Sequence, residues 1–534
     1  MLKKIHTEQL NLVDTGYFTP LVTDYVAQDA FFEPFIQAFP SPVVMGQAFQ
    51  AKEKQTLHRA VLVDALKAQY VHLPNTEKAL LQIGRLLEDT TFTVCTAHQP
   101  ILFLGPLYVI YKTVHAIQLA THLNQQFPNK QVVPVFYMGT EDHDIDEIAQ
   151  CSFNGEQFVW EPQQVGACGR MKTEHMANLL ARYKSYWNLN IPHEKAWVEA
   201  LTQAYDGKKT LAEATRYLLH HLFGDTGLLI LDADAPALKK LLVPVMQEEL
   251  FGVPAIERIQ SGIQTLQDRY HVQANPRAIN LFYLNDAGRS RIEQDGELFK
   301  VVGTDYSWNK TDLQHELNQH PERFSPNVIL RPLYQEIILP NVAFIGGGGE
   351  LAYWLQLKAN FDYFKVAFPL LFLRNSLLFV SASQQKKMTQ KKWTISNLFL
   401  PVDTWLNYQI QGAPLLHRWE ETHQALQALM EQYTQGLNAE APNYVVSVKA
   451  HQAKMERVLQ RITQKTKAAE KRKWDDARNS FESLQGQLFP NRTLQERTEN
   501  GPFLLKEIGE NWLDVLMQVQ DPYSQQFTVF RIAE

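Results

Sequence analysis

The chain has 534 residues, of which 45% are hydrophobic and 20% charged, with a formal net charge of -6. That length is too great for one hydrophobic core, so two or three domains or subdomains are expected, and the composition leaves no room for wholesale disorder. An acidic balance without a basic cluster excludes nucleic acid as an expected partner, because phosphate binding needs grouped Lys and Arg.

The three cysteines, Cys95, Cys151 and Cys168, cannot all pair and match no metal spacing, so neither a disulfide framework nor a metal site is expected. This usage suits a reducing cytosol, and a cytoplasmic protein is the expectation. The start, Met1-Leu2-Lys3-Lys4-Ile5-His6, is basic but lacks the apolar stretch of a signal peptide. No run of about 18 apolar residues occurs, so no membrane span is predicted.

Residues 1–90 read as mixed and mostly helical, with helices at 53–69 and at 76–87, the second capped by Asn75. From Phe92 the pattern changes. Residues 92–96 form a short apolar strand, 97–106 a loop with Pro100, Gly105 and Pro106, and 107–124 a helix. The run Gln131-Val-Val-Pro-Val-Phe-Tyr-Met138 is a second buried strand, so the segment reads as a parallel βαβ unit. Residues 227–232 give a third strand, and 368–373 and 377–381 give two more. The predicted class is α/β with a mostly parallel sheet and insertions.

Beyond residue 383 the texture is helical. Trp419, Thr422, Leu426, Leu429 and Tyr433 follow 3-4 spacing, as do Met455, Leu459, Ile462, Thr466 and Ala469. The register slips at Lys473 and resumes at Trp474, Ala477, Phe481, Leu484 and Leu488. Two long helices joined near Pro442 predict an antiparallel coiled-coil arm. The expected domains are a core over 1–383, the arm over 384–490, and a segment over 491–534 that packs back on the core.

Three segments could carry chemistry. The first is Glu141-Asp142-His143-Asp144 with Asp146 and Glu147, directly after the second strand. Ligands of open parallel sheets bind beyond the carboxyl ends of strands. So many acids around one histidine need a positive partner, which an amine substrate, a magnesium ion or a basic side chain would each supply. A helix start explains two or three of these acids but not His143, which titrates near neutral pH. The second is Thr96-Ala97-His98-Gln99-Pro100, running through Gly105 into a helix with Tyr108, Tyr111 and Lys112; if the two strands are neighbours, His98 and Gln99 face the acids. A helix start after such a loop offers backbone donors to a phosphate or carboxylate. The third is Gly346-Gly347-Gly348-Gly349-Glu350, flanked by Asn341 and Tyr353. Glycines let backbone approach a ligand, although this is neither a Walker loop nor a dinucleotide fingerprint.

Together these segments resemble the signature blocks of the cysteine-adding enzymes of bacillithiol synthesis, the BshC family. The resemblance rests on Thr96–Pro100, Leu104–Tyr108 and Tyr111-Lys112; on Val133–Phe136 with Glu141–Glu147; on Arg331–Glu336, Leu339-Pro340 and Gly348–Trp354; on Phe368-Pro369 and Arg374–Ser376; and on Leu488–Asn491 with Leu494–Arg497. It covers roughly residues 90–510. The chain departs from the family at Ala97-His98, where Gly-Gln is common, and at Gly347, where Pro is common.

The resemblance implies a ligase joining L-cysteine to the amino group of glucosaminyl-malate. It also implies a Rossmann-like core similar to class I aminoacyl-tRNA synthetase catalytic domains, with inserted subdomains, and a homodimer formed through the arm. On this reading His143, Asp144 and Glu141 are catalytic, with His143 or Asp144 removing the amine's proton. His98, Gln99, Tyr108, Lys112, Asp142, Asp146, Asn341, Gly348, Gly349, Glu350 and Tyr353 bind substrates. A nucleotide, ATP or ADP, is associated with the family, and Gly105, Gln495 and Arg497 are its candidate contacts. The rival readings are a nucleotidyltransferase or other amide-forming ligase on a different small amine, and a non-catalytic coiled-coil scaffold.

Overall fold

The structure, a computed structural model, describes residues 4–285 and 288–532, the side chains at 438 and 439 excepted. The chain forms two compact units, one from Met1–Ala382 with Thr493–Glu534 and the other from Ser383–Arg492.

The first unit is organised by five parallel strands, Thr91–His98 (β1), Gln131–Met138 (β2), Leu229–Asp232 (β3), Asn341–Gly346 (β4) and Leu370–Leu373 (β5). Their order across the sheet is β3-β2-β1-β4-β5. Both faces are covered, which is why the strands are continuous apolar runs instead of alternating ones. The direction of winding reverses between β1 and β4, and at such a switch the loops leaving adjacent strands part to open a crevice. Met45, Phe49, Phe92, Leu119, Leu123, Val342 and Leu370 form one buried cluster against this sheet.

β1 leads to the helix Tyr108–Gln126 (α1) through a strained loop. Phe103 and Leu104 adopt φ of 49° and 66°, and Gly105 follows at 54°. A Cβ at Gly105 would lie 2.6 Å from Ile101, so only glycine fits there. The loop is fixed by Asn500 Nδ2, which donates to the Phe103 and Gly105 carbonyls at 2.9 and 3.0 Å. After β2 comes the short helix Ile145–Ile148 (α2), and after β4 the helix Gly348–Trp354 (α3).

Several expectations need correction. The helix expected over 53–69 is two helices, Met45–Glu53 and Arg59–Tyr70. Gln55, between them, donates to Glu336 O at 2.8 Å and accepts from Ala367 N at 3.1 Å, and these tertiary bonds displace local helix propensity. Asn75 takes a left-handed φ of 53° and does not cap; the helix Glu77–Arg85 begins after Thr76. The strand expected at 377–381 is Ser376–Phe379, but it joins a different sheet, parallel to Phe527–Ile532, which pairs antiparallel with Ile5–Leu10. A second five-stranded sheet, built from Leu281–Asn285, Gly288–Asp295, Leu298–Val301, Ser307–Trp308 and Phe324–Pro326, has no counterpart in the sequence reading.

The second unit contains two long antiparallel helices, Pro414–Glu440 (α4) and Pro442–Arg472 (α5). Trp419 Nε1 donates across the pair to Thr463 Oγ1 at 2.8 Å. The register slip at Lys473 is a true break, since α5 ends at Arg472 and a third helix, Asp475–Leu488 (α6), begins beyond it. Trp405 stacks on Phe481 at 4.2 Å to close the base.

Candidate active site

The loops leaving β1, β2, β3 and β4 line one cleft of about 560 Å³ in the first unit, a size suited to small-molecule substrates. His98 and Met138, the last residues of β1 and β2, are paired neighbours, and Gly139 N donates to His98 O at 2.9 Å. The tips carrying Gln99 and His143 therefore open into a shared space, as the sequence reading expects.

The acidic run divides by direction. Glu141 turns inward and pairs with the buried Lys239, whose ammonium also donates to Phe324 O at 2.7 Å. Burial lifts the Glu141 carboxyl above its usual range and Lys239 opposes that rise. Asp142 and Glu147 line the cleft. Gln99 Nε2 bridges them, 3.1 Å from Asp142 Oδ2 and 3.5 Å from Glu147 Oε2. Asp144 and Asp146 are exposed and do not line the cleft; they sit at the start of α2, where acids favour the helix dipole.

Each histidine of the cleft has its lone pair in use. His98 Nδ1 lies 3.0 Å from the Gln99 carbonyl, which can only accept, so that nitrogen carries the hydrogen. Its Nε2 then accepts from the Tyr108 hydroxyl at 3.0 Å. Burial, reinforced by Lys112, holds His98 down at about 4, so it is neutral at physiological pH. His143 Nδ1 lies 2.9 Å from Arg289 Nη1. A guanidinium only donates, so Nδ1 accepts and the hydrogen is on Nε2. Partial burial and Arg289 both lower the His143 pKa.

Arg289 is a residue the sequence reading missed. It comes from the inserted antiparallel sheet and stacks over Phe282 at 4.0 Å. It also donates to Ser325 Oγ at 3.0 Å and to Pro326 O at 3.1 Å. Nothing in its local sequence marks it, because its partner His143 is 146 residues away.

The cleft also carries a basic wall of Arg331, Arg374 and Arg497. The first two were quoted above only as parts of the family blocks. Arg331 donates to the Tyr353 hydroxyl at 2.8 Å and lies over the Tyr137 ring at 5.5 Å. Arg374 donates to Glu496 at 2.8 Å and lies over Tyr108 at 5.0 Å. The glycine turn lines the same cleft. Glu350 Oε2 accepts from Gly347 N at 2.8 Å and from Lys112 Nζ at 3.0 Å, fixing the start of α3. Burial would raise the Glu350 pKa, but Lys112 and the Gly347 amide hold it below the usual range. A Cβ at Gly349 would meet open space, so that backbone faces the cleft unobstructed.

His98, Gln99, Tyr108, Glu141, Asp142, His143, Gly348, Gly349, Glu350, Tyr353 and Arg497 all line the cleft. Besides Asp144, expected to be catalytic, and Asp146, expected to bind substrate, four expected contacts differ. Asn341 is the first residue of β4, at the opposite end of the sheet, and is buried with Nδ2 donating to Glu336 Oε1 at 2.7 Å. Lys112 does not line the cleft; it is buried and pairs with Glu350, which does. Gln495 has its amide occupied on both sides by Phe379, accepting from the amide at 3.0 Å and donating to the carbonyl at 3.2 Å. The Gly105 N–H donates to Leu102 O at 2.9 Å, and its carbonyl accepts from Gly501 N at 2.8 Å. Gln495 and Gly105 therefore secure the C-terminal segment, and neither lines the cleft.

Family models match nearly the whole chain: the N-terminal Rossmann-like domain of bacillithiol biosynthesis BshC over residues 5–375, and its C-terminal coiled-coil domain over 377–532. Three similar proteins are each named "Putative cysteine ligase BshC". That of Flavobacterium psychrophilum is 35% identical, with 99% of this chain and 100% of the relative covered. That of Flavobacterium johnsoniae is 36% identical, with 98% and 100% covered. That of Cytophaga hutchinsonii is 37% identical, with 92% and 93% covered. A solved arginyl-tRNA synthetase-like chain from Campylobacter jejuni aligns at 11% identity with a TM-score of 0.22, covering 84% of this chain and 99% of that one, and no argument rests on it.

Proposed function

This chain belongs to the bacillithiol biosynthesis BshC family, and from that membership and the cleft together we propose that it is a ligase joining L-cysteine to the amino group of glucosaminyl-malate. The observation that carries the reading is a single cleft at the strand tips that holds both carboxylates and guanidinium groups. It carries the acids Asp142 and Glu147 and the bases Arg331, Arg374 and Arg497. An acceptor with an ammonium at one end and carboxylates at the other matches that set of charges, because guanidinium groups pair with carboxylates in a fixed geometry.

Amide formation needs an activated carboxyl group, and a nucleoside triphosphate is the proposed source. The basic wall and the free backbone of the glycine turn suit phosphate as well as carboxylate. Within the cleft the protein's own groups orient the acceptor, exclude water and offer donors to the developing oxyanion.

The reading extends to the arm and to location. Leu429, Tyr433, Val458 and Ile462 on α4 and α5 are exposed, and a second copy of the arm is proposed to cover them in a homodimer. No helix among the described residues is long and apolar enough to cross a membrane, and all three cysteines are unpaired and buried. Both features suit the proposed cytoplasmic setting.

The test is mass spectrometry of the products formed by purified protein from L-cysteine and glucosaminyl-malate, with and without ATP. The expected result is the cysteinyl amide, in quantity only with nucleotide. A cysteinyl nucleotide that never transfers to the amine would support a nucleotidyltransferase instead. No product under either condition would reject the ligase reading.

A further inference from the structure

We propose that Glu147 is the general base that takes the proton from the acceptor's ammonium, with Gln99 positioning its carboxylate. This inference rests on the ligase reading above and names the group that performs its proton transfer.

Available lone pairs decide which group can take the proton. A general base needs an unshared pair aimed at the substrate. His98 spends its pair on the Tyr108 hydroxyl, and His143 spends its pair on Arg289. Glu141 is paired with Lys239, and Glu350 with Lys112 and the Gly347 amide. Asp142 accepts from Gln99 and from His143 N at 2.9 Å, with Arg289 Nη1 3.6 Å away. Glu147 alone among the cleft carboxylates makes no ion pair among the described residues, and its one donor is the distant Gln99 amide.

Its surroundings suit the task. Glu147 is exposed, yet desolvation by the residues around it, followed by the charges of Asp144 and Asp142 from its own segment, raises its pKa above the usual value. Its charge is felt at the Tyr108 hydroxyl, which also feels Arg374, Glu350 and Arg497. Glu147 and the basic wall therefore address one space. An ammonium entering between Asp142 and Glu147 is attracted by both and loses its proton to the one that is not already neutralised.

Glu147 carboxylate accepts one proton from the ammonium, freeing the nitrogen lone pair. That pair attacks the carbonyl carbon of a cysteinyl phosphoric anhydride, made from cysteine and a nucleoside triphosphate. A C–N bond forms, the C–O bond to the phosphoryl oxygen breaks, and the phosphate-bearing group leaves with the electron pair. The second ammonium proton, now on the amide nitrogen's precursor, passes to water or to the leaving group.

The experiment measures kcat/KM against pH for wild type, Glu147→Gln and Gln99→Ala, with amide product as the readout. Wild type should show an acid limb set by Glu147. Glu147→Gln should lose about 10²–10⁴-fold in kcat, with a smaller rise in KM confined to the amine acceptor. Its residual rate should climb with pH, without that limb, as the amine deprotonates by itself. Gln99→Ala removes a donor that lowers the Glu147 pKa, so its limb should move to higher pH. Melting temperatures equal to wild type show that the variants fold, and Glu147→Asp, which keeps a carboxylate, should recover part of the rate. A Glu147→Gln variant within tenfold of wild type, or one keeping the wild-type acid limb, overturns the assignment while the ligase reading stands. A Gln99→Ala variant with an unmoved limb overturns the positioning role. A wild-type protein that forms no amide overturns both readings.

Discussion

The two ends of the parallel sheet use the same residue types to opposite effect. At the starting ends of the strands, Lys52, Glu336, Gln335 and Asn341 form a closed network that excludes solvent almost completely. Lys52 donates to Glu336 Oε2 at 3.1 Å and to the Glu336 carbonyl at 2.9 Å. Glu336 Oε1 accepts from Asn341 at 2.7 Å and Gln335 at 3.0 Å. At the finishing ends, Asp142, Glu147, Arg374 and Arg497 line an open cleft. Chain direction separates structure from function here. Loops leaving parallel strands can diverge around a ligand, whereas the strand starts are sealed by packed side chains.

The contrast can be broken from either side, and the largest effect should come from the sealed end. Lys52→Ala leaves the Glu336 carboxylate buried without its cation and should cost ~3–5 kcal/mol of stability. Denaturant titration checks this, and kcat/KM per folded molecule should stay at the wild-type value. At the open end, Arg331→Ala should leave folding largely intact but reduce kcat/KM by about 10²-fold, or ~3 kcal/mol, in steady-state assays. Asn341→Ala should destabilise by ~1–3 kcal/mol, because Glu336 Oε1 loses a donor, again with turnover unchanged.

Glu499 sharpens the comparison, because it is a half-buried carboxyl that neither end of the sheet supplies with a cation. Its Oε2 is buried without a hydrogen-bond partner. Burial, with Glu507 adding to it, pushes its pKa from 4.5 up to about 7. The fold favours the neutral form, so this contribution to stability is complete below about pH 4.5 and is lost as pH rises through 7. Glu499→Gln should therefore flatten the stability profile across that window and raise stability at pH 8 by ~1–3 kcal/mol, read from urea titrations at several pH values. The smallest effect is expected for His143→Asn. If His143 only braces Arg289, its loss costs one hydrogen bond, ~0.5–1.5 kcal/mol, and turnover falls by about tenfold or less.

The sequence exposes the β1–α1–β2 unit clearly, because strands buried on both faces must be continuous apolar runs and the helix between them keeps its own period. The same rule applies to β4, yet Asn341-Val-Ala-Phe-Ile-Gly346 passes as a prelude to the glycines, and with it goes the topological switch. Missing that strand is also what misplaces Asn341. A polar residue before a glycine turn looks like a ligand contact until the strand between them shows that they lie at opposite ends of the sheet. The acidic run is visible as a site, but its division into Glu141 inward, Asp142 and Glu147 cleftward, and Asp144 and Asp146 outward is set by the local turn. The role of His143 depends on Arg289 from a separate sheet, and no local pattern encodes that contact. Terminal pairing of Ile5–Leu10 with Phe527–Ile532 is hidden for the same reason, as its partners lie at the two ends of the chain.

The most direct test of the central claim, that chemistry occurs where the strands finish, is hydrogen exchange by mass spectrometry with and without glucosaminyl-malate. Slower exchange at the backbone amides of 139–147 and 347–350 is the predicted result, since both segments line the cleft. Unchanged exchange in both, with protection confined to other parts of the chain, would contradict the account.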